Sequence, residues 1–255
     1  MSTLLQPVPL SALTVEDEHD FAAMPLYPRL KQALLDAAVT YRVPAPGSKL
    51  SRWDHVLLLN LGFWTPTEPD DVIEGRVLTA DVIAHRAWHH LAASALGPGA
   101  TTLEGLMLGE AIASAFDAYM IGHLLTSRPD AAMLESQLPA MSDAMLEAGL
   151  TDDECSKIFA TFSEDPHAAF KQLLTLLYEV GVALCQCDGA EAAAHVLDAA
   201  STRPLAPLLH HYRLATWVLY SRGQPPGVDG APAAALATEI LASDDPLDLL
   251  LTRWL

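Results

Sequence analysis

The chain has 255 residues, 51% of them hydrophobic, with only 7% aromatic, enough apolar material for one large core or a core with an appended subdomain. Its 32 acidic residues against 14 lysines and arginines give a formal charge of −18, which excludes nucleic acid and anionic membrane surfaces as natural partners for most of the surface. Alanine and leucine dominate over β-branched runs, so the expected fold class is mainly α, helices packed on helices.

Residues 1–28 hold Pro7, Pro9, Pro25 and Pro28 among several acids, and read as an extended N-terminal arm. The N-terminus lacks a basic stretch before its first prolines, and no apolar run is expected to approach the roughly 18–20 residues of a membrane span. The three cysteines, Cys155, Cys185 and Cys187, form no C-x-x-C pair and read as reduced thiols. Together these features point to a cytoplasmic protein. From Arg29 to Arg42 an apolar stripe at helical spacing predicts a helix, stopped at Pro44-Ala45-Pro46-Gly47. His55 to Trp64, with its leucine run, is the best strand candidate, at most a small β element. Thr79 is a natural N-cap for a helix running to Leu96 and ending at Gly97-Pro98. Thr101-Thr102-Leu103-Glu104 reads as a capping box opening the next helix, to about Thr126. Residues 29–128 form the candidate site subdomain. The remaining 129–255 is a helical half, with helices expected at 131–148, 152–163 (opened by the capping box Thr151 to Glu154), 166–186, 189–200, 205–221, 231–242 and 246–254.

Chemistry concentrates in two of these helices. The first contains His85-Arg86-Ala87-Trp88-His89, whose histidines at i and i+4 share one face. The second contains Gly109-Glu110-Ala111-Ile112-Ala113-Ser114-Ala115-Phe116-Asp117, whose acids sit among small and apolar neighbours. A carboxylate on such a helix needs a partner, because a buried charge left alone is costly. With a turn at Gly97-Pro98-Gly99, His85, His89 and Glu110 can meet at one point, as a zinc site requires. A metal-free alternative pairs Arg86 with Glu110 or Asp117. His90 lies off the ligand face, His123 faces away from Glu110, and His55 and the pair His210-His211 are weaker candidates.

The two motifs resemble those of zincin metallopeptidases of the gluzincin type, in which an H-E-x-x-H helix supplies two ligands and a later helix a glutamate. The resemblance covers about forty-five residues. It implies a zincin-like helix pair with His85, His89 and Glu110 as ligands of zinc, and Asp117 orienting a histidine from behind. In such families a carboxylate often follows the glutamate ligand by four residues; here that position is Ser114. Arg86 stands where the resemblance expects the general base, and a guanidinium cannot serve as one. The expectation is therefore a metal-binding protein without ordinary peptidase activity, in a binding or regulatory role toward a protein or peptide. Two histidines and a carboxylate are also the ligand set of non-haem iron oxygenases, and Arg86 would then contact an anionic small molecule. An active peptidase and a metal-free helical interaction module complete the alternatives.

Overall fold

A computed structural model of the chain describes residues 5–45, 71–73, 75–222 and 229–255. The expected β element at 55–64, with His55, lies outside them. The chain divides into two compact units, Met1–His90 and Leu91–Leu255. The fold is mainly α, with little β structure.

In the first unit, the stretch expected as an extended arm contributes strand β1 (Leu5–Pro9), a 3-10 turn, the two-residue strand β2 (Thr14–Val15) and a second 3-10 turn. Helix α1 spans Leu26–Asp36, not 29–42, because the chain turns at Ala38 (φ 51°) and becomes strand β3 (Thr40–Pro44). β1 pairs antiparallel with β3, and β3 pairs parallel with β4 (Asp71–Val72). β2 pairs parallel with β5 (Val77–Leu78). Pro7 and Pro9 are tolerated because β1 is, among the described residues, an edge strand of its sheet, where a missing N–H costs least. Phe21, Tyr27, Leu30, Leu34 and Tyr41 are buried to 2% exposure or less and make the core of this unit.

Helix α2 (Ala80–Leu96) begins in this unit, and the division falls within it, after His90. Its first N–H is met from a distance: Ala80 N donates to Asp17 Oδ1 at 2.7 Å, across 63 residues of sequence. Asp17 is only 4% exposed. Burial pushes its carboxyl up from the usual range; the bond from Ala80 opposes this, while the neighbouring Asp81 and Asp20 charges add to it.

The second unit is organised on helix α3 (Leu103–Ser127), of whose 25 residues 17 are buried. Thr102 caps it, accepting from Gly105 N at 3.1 Å, so the expected box from Thr101 to Glu104 does not form. The Thr101 hydroxyl instead donates to the Pro98 carbonyl, and Glu104 sits in the first turn, where the helix dipole favours an acid. Around α3 stand α4 (Ala132–Glu147), α5 (Asp152–Glu164) and α6 (Pro166–Gln186), with α6 the most extensive neighbour. Helices α7 (Ala190–Ala200), α8 (Leu214–Ser221), α9 (Ala231–Ala242) and α10 (Pro246–Trp254) complete the unit. The capping box at Thr151 and Glu154 is formed in both directions. The helix expected over 205–221 is broken: a 3-10 turn covers Ala206–His210, and left-handed residues at Leu205 (φ 65°) and Arg213 (φ 48°) bracket the interruption. Helix α6 is long and apolar enough by length and composition to cross a membrane, although Lys171 and Glu179 interrupt its apolar runs and hid this from the sequence. Much of it is buried against α3.

Close approach in the second unit depends on Gly122. A Cβ there would stand 2.1 Å from the Phe162 carbonyl oxygen, a backbone atom of α5 that cannot swing aside. Gly122→Ala is expected to destabilise the chain by roughly 2–3 kcal/mol, as overpacking does, measured by denaturant unfolding. Asp17→Ala should cost about 1–2 kcal/mol through the lost cap, and Asp17→Asn less, because it keeps an acceptor for Ala80. Since the Asp17 pKa is raised in the fold, the folded state holds its proton after the unfolded chain has released it. Its contribution therefore falls as pH rises from 3.8 through the raised value, and unfolding of Asp17→Asn should lack that slope.

Candidate metal centre

The candidate ligand face of α2 follows from helical spacing. His85 and His89, one turn apart, place their Nε2 atoms 3.2 Å from each other, with ring centroids 4.9 Å apart and planes inclined by 58°. His85 and Glu110 are half-buried, and His89 is 9% exposed. Each of His85, His89 and Glu110 offers one ligand atom, and the three atoms all lie within 4.8 Å of one another. Zinc–nitrogen bonds of about 2.0–2.1 Å at a tetrahedral angle separate two nitrogens by roughly 3.3 Å, so the observed spacing fits two ligands on one ion and equally fits one imidazole donating a hydrogen bond to the other. The group could hold a metal ion; its donors, two imidazoles and a carboxylate, suit zinc and iron alike.

Arg86, between the two histidines in sequence, lies 100° round the helix from His85. It is 5% exposed, and its Nε stands 3.0 Å from Asp71 Oδ2, in strand β4. Tyr41, paired in register with Asp71, is fully buried beside them. Burial pushes the Tyr41 phenol well up, the Arg86 guanidinium opposes that, and the Asp71 carboxylate adds to it. Arg86 therefore belongs to a buried polar cluster that ties α2 to the small sheet of its own unit. Trp88 is fully buried, and burial followed by the Arg86 charge holds the half-buried His90 below its ordinary pKa.

On α3 the half-buried positions Leu103, Glu110 and Asp117 recur at seven-residue intervals along one stripe, and between Gly105 and Gly122 Glu110 and Asp117 are the two residues that are not fully buried. Asp117 lies near Tyr212, whose phenol is pushed up first by burial and then by the Asp117 charge. Ser114 is 2% exposed, and its carbonyl accepts from the Tyr212 hydroxyl at 3.3 Å. His123 packs on Tyr119, which in turn meets His167, and is held below its ordinary pKa by burial and then by the His167 charge. His211 packs edge-on against Tyr212, and His210 borders a cavity of the second unit. All three cysteines are free thiols, and among the described residues none joins a metal-ligand group.

What fold and site define together is a class: a mainly α protein carrying a His-His-Glu group able to hold a metal ion. Comparison with protein-family models, with curated proteins and with solved structures finds no match to this chain.

The Asp71–Arg86 pair was not legible from spacing, because its acid comes from a two-residue strand. Arg86→Met is expected to destabilise the chain by about 3 kcal/mol, the lower part of the range for breaking a buried ion pair. Combining it with Asp71→Asn should restore at least half of that loss, which a double-mutant cycle on urea unfolding would read.

Proposed function

We propose that this chain is a metal-binding protein of zincin-like site design without ordinary peptidase activity, acting in a binding or regulatory role. The observation that carries the reading is the convergence of two imidazoles, Nε2 to Nε2 at 3.2 Å, with a carboxylate oxygen of Glu110 inside the same 4.8 Å circle. His85, His89 and Glu110 would hold the ion, and Asp117 would stand behind them as an orienting carboxylate. A bound zinc supplies Lewis acidity to a water or carbonyl at its remaining position.

The residue that ordinary zinc proteolysis requires next to the ligands is a carboxylate base. At that position the chain has Arg86, buried and held by Asp71. A guanidinium keeps its proton at any physiological pH, so it cannot draw one from water. The ion pair supports an anchoring role for Arg86, fixing the turn of α2 that carries both imidazoles. This favours a centre that binds and displays a ligand over one that hydrolyses peptides.

Elemental analysis of the full chain, purified without a histidine tag, is expected to find about one metal ion per molecule. The same measurement distinguishes zinc from iron. His85→Ala and Glu110→Gln should each abolish retention while circular dichroism stays unchanged. Readdition of zinc should raise the unfolding temperature of the parent chain, by about 4 kcal/mol of stabilisation at a thousandfold excess over Kd, and leave both variants unmoved. A metal-free chain whose stability ignores zinc would overturn the proposal and leave a helical interaction module. Peptidase assays on the zinc-loaded chain should stay at background.

A further inference from the structure

The second unit has a concave apolar site that shares no residue with the histidine group. In the second unit the end of α6, helix α7, the 3-10 turn at 206–210 and α8 line a half-open cavity of about 580 Å³. That size lies inside the roughly 300–1,000 Å³ typical of small-molecule sites. Its walls are apolar, with Leu184, Ala193, Leu197, Leu214, Val218 and Leu219 among them. Leu219 is 71% exposed and Leu197 41%, two of the few large apolar side chains so placed among the described residues. Helix α7 buries only Ala200 of its eleven residues, so its apolar face toward the cavity has little protein cover.

The rim carries the opposite character. Arg213, Arg222 and His210 border the cavity, and no carboxylate stands among its described lining residues. In a chain with 32 acids and 14 lysines and arginines, that is a reversal of the general surface charge. Arg222 donates through Nη2 to the carbonyl of Cys187, another lining residue, which holds its guanidinium against the cavity wall. Arg213 holds a left-handed backbone (φ 48°), a conformation disfavoured for a long side chain. This residue splits the helix expected over 205–221 into two pieces, and both pieces line the cavity.

We propose that this cavity binds a free single-chain carboxylate amphiphile of the fatty-acid type, its alkyl chain along the α7–α8 wall and its carboxylate on Arg213 and Arg222. The charge complementarity is specific, because an anionic head is attracted to the rim while the rest of the surface repels it. A concave volume suits an alkyl chain better than it suits the flat face of a protein.

The test is displacement of an anilinonaphthalene sulfonate probe from the full chain by dodecanoate and by dodecyltrimethylammonium, both held below micelle formation. Dodecanoate should displace the probe at one site per chain, and the cationic amphiphile about tenfold less well, as for loss of one charge-assisted contact. Arg213→Asn, which suits the left-handed backbone, should weaken dodecanoate by a similar factor and leave the cation bound no more weakly than before. Ala193→Trp should abolish displacement by filling the cavity, with Leu219→Ser as an exposed-site variant that weakens both amphiphiles without changing the melting temperature. Equal binding of the two amphiphiles, or binding indifferent to Ala193→Trp, would overturn the proposal. So would a dimer in light scattering that Leu219→Ser dissolves, since the groove would then belong to a second copy.

Discussion

A charged or polar group on a buried helix must be answered by something, and this molecule is arranged around those answers. Helix α2 buries Arg86 and nearly buries His89, while α3 buries 17 of its 25 residues yet carries Glu110 and Asp117. Left unpaired, each ion would cost several kcal/mol, a large part of the 5–15 kcal/mol by which a typical domain is stable. The answers come from short and remote elements. Asp71, in a two-residue strand, meets Arg86, and Asp17, in a turn 63 residues upstream, meets the first N–H of α2.

This explains why the helices were legible in the sequence and much of what holds them was not. The helices at 166–186, 231–242 and 246–254 have the bounds their capping and apolar periodicity announce. Pro at the first turn, Asp as N-cap and small residues at close approaches are local signals, and local signals survive without knowledge of the fold. The N-terminal stretch was different. Its prolines argue against a strand, yet at the edge of a sheet a proline sacrifices no ladder bond, and only the partner β3 reveals that edge. The interruption between 205 and 214 also had no glycine to mark it, because Leu205 and Arg213 take left-handed backbones themselves. Thr102, not Thr101, caps α3, and two adjacent threonines offer no local means of choosing between them.

The candidate site divides along the same line. That His85 and His89 share a face follows from the 3.6-residue repeat, and the structure brings their Nε2 atoms to 3.2 Å. The acidic stripe of Glu110 and Asp117 follows from a seven-residue interval on a helix with no polar face to spare. The partner of Arg86 did not follow, since the two acids considered from sequence were those on α3, and Asp71 comes from a two-residue strand too short to show a pattern. What separates the two cases is range: a repeat within one helix is written in consecutive residues, whereas a contact between a helix and a strand depends on the path of everything between them.

Arg86 then bears on the chemistry from an unexpected side. An arginine between two candidate ligand histidines stands, in the zincin resemblance, where a catalytic base is expected. In the fold it points away from the imidazole face by its position on the helix and is held 3.0 Å from Asp71 beside the buried Tyr41. A glutamate in its place would set two carboxylates against each other in that environment, a repulsion that burial magnifies. The small sheet and a general base at this position are therefore competing demands, and the chain has met the first. Held by Asp71, Arg86 fixes the turn of α2 that carries both imidazoles, so a side chain that cannot act as a base is also the one that ties this helix to the sheet of its own unit.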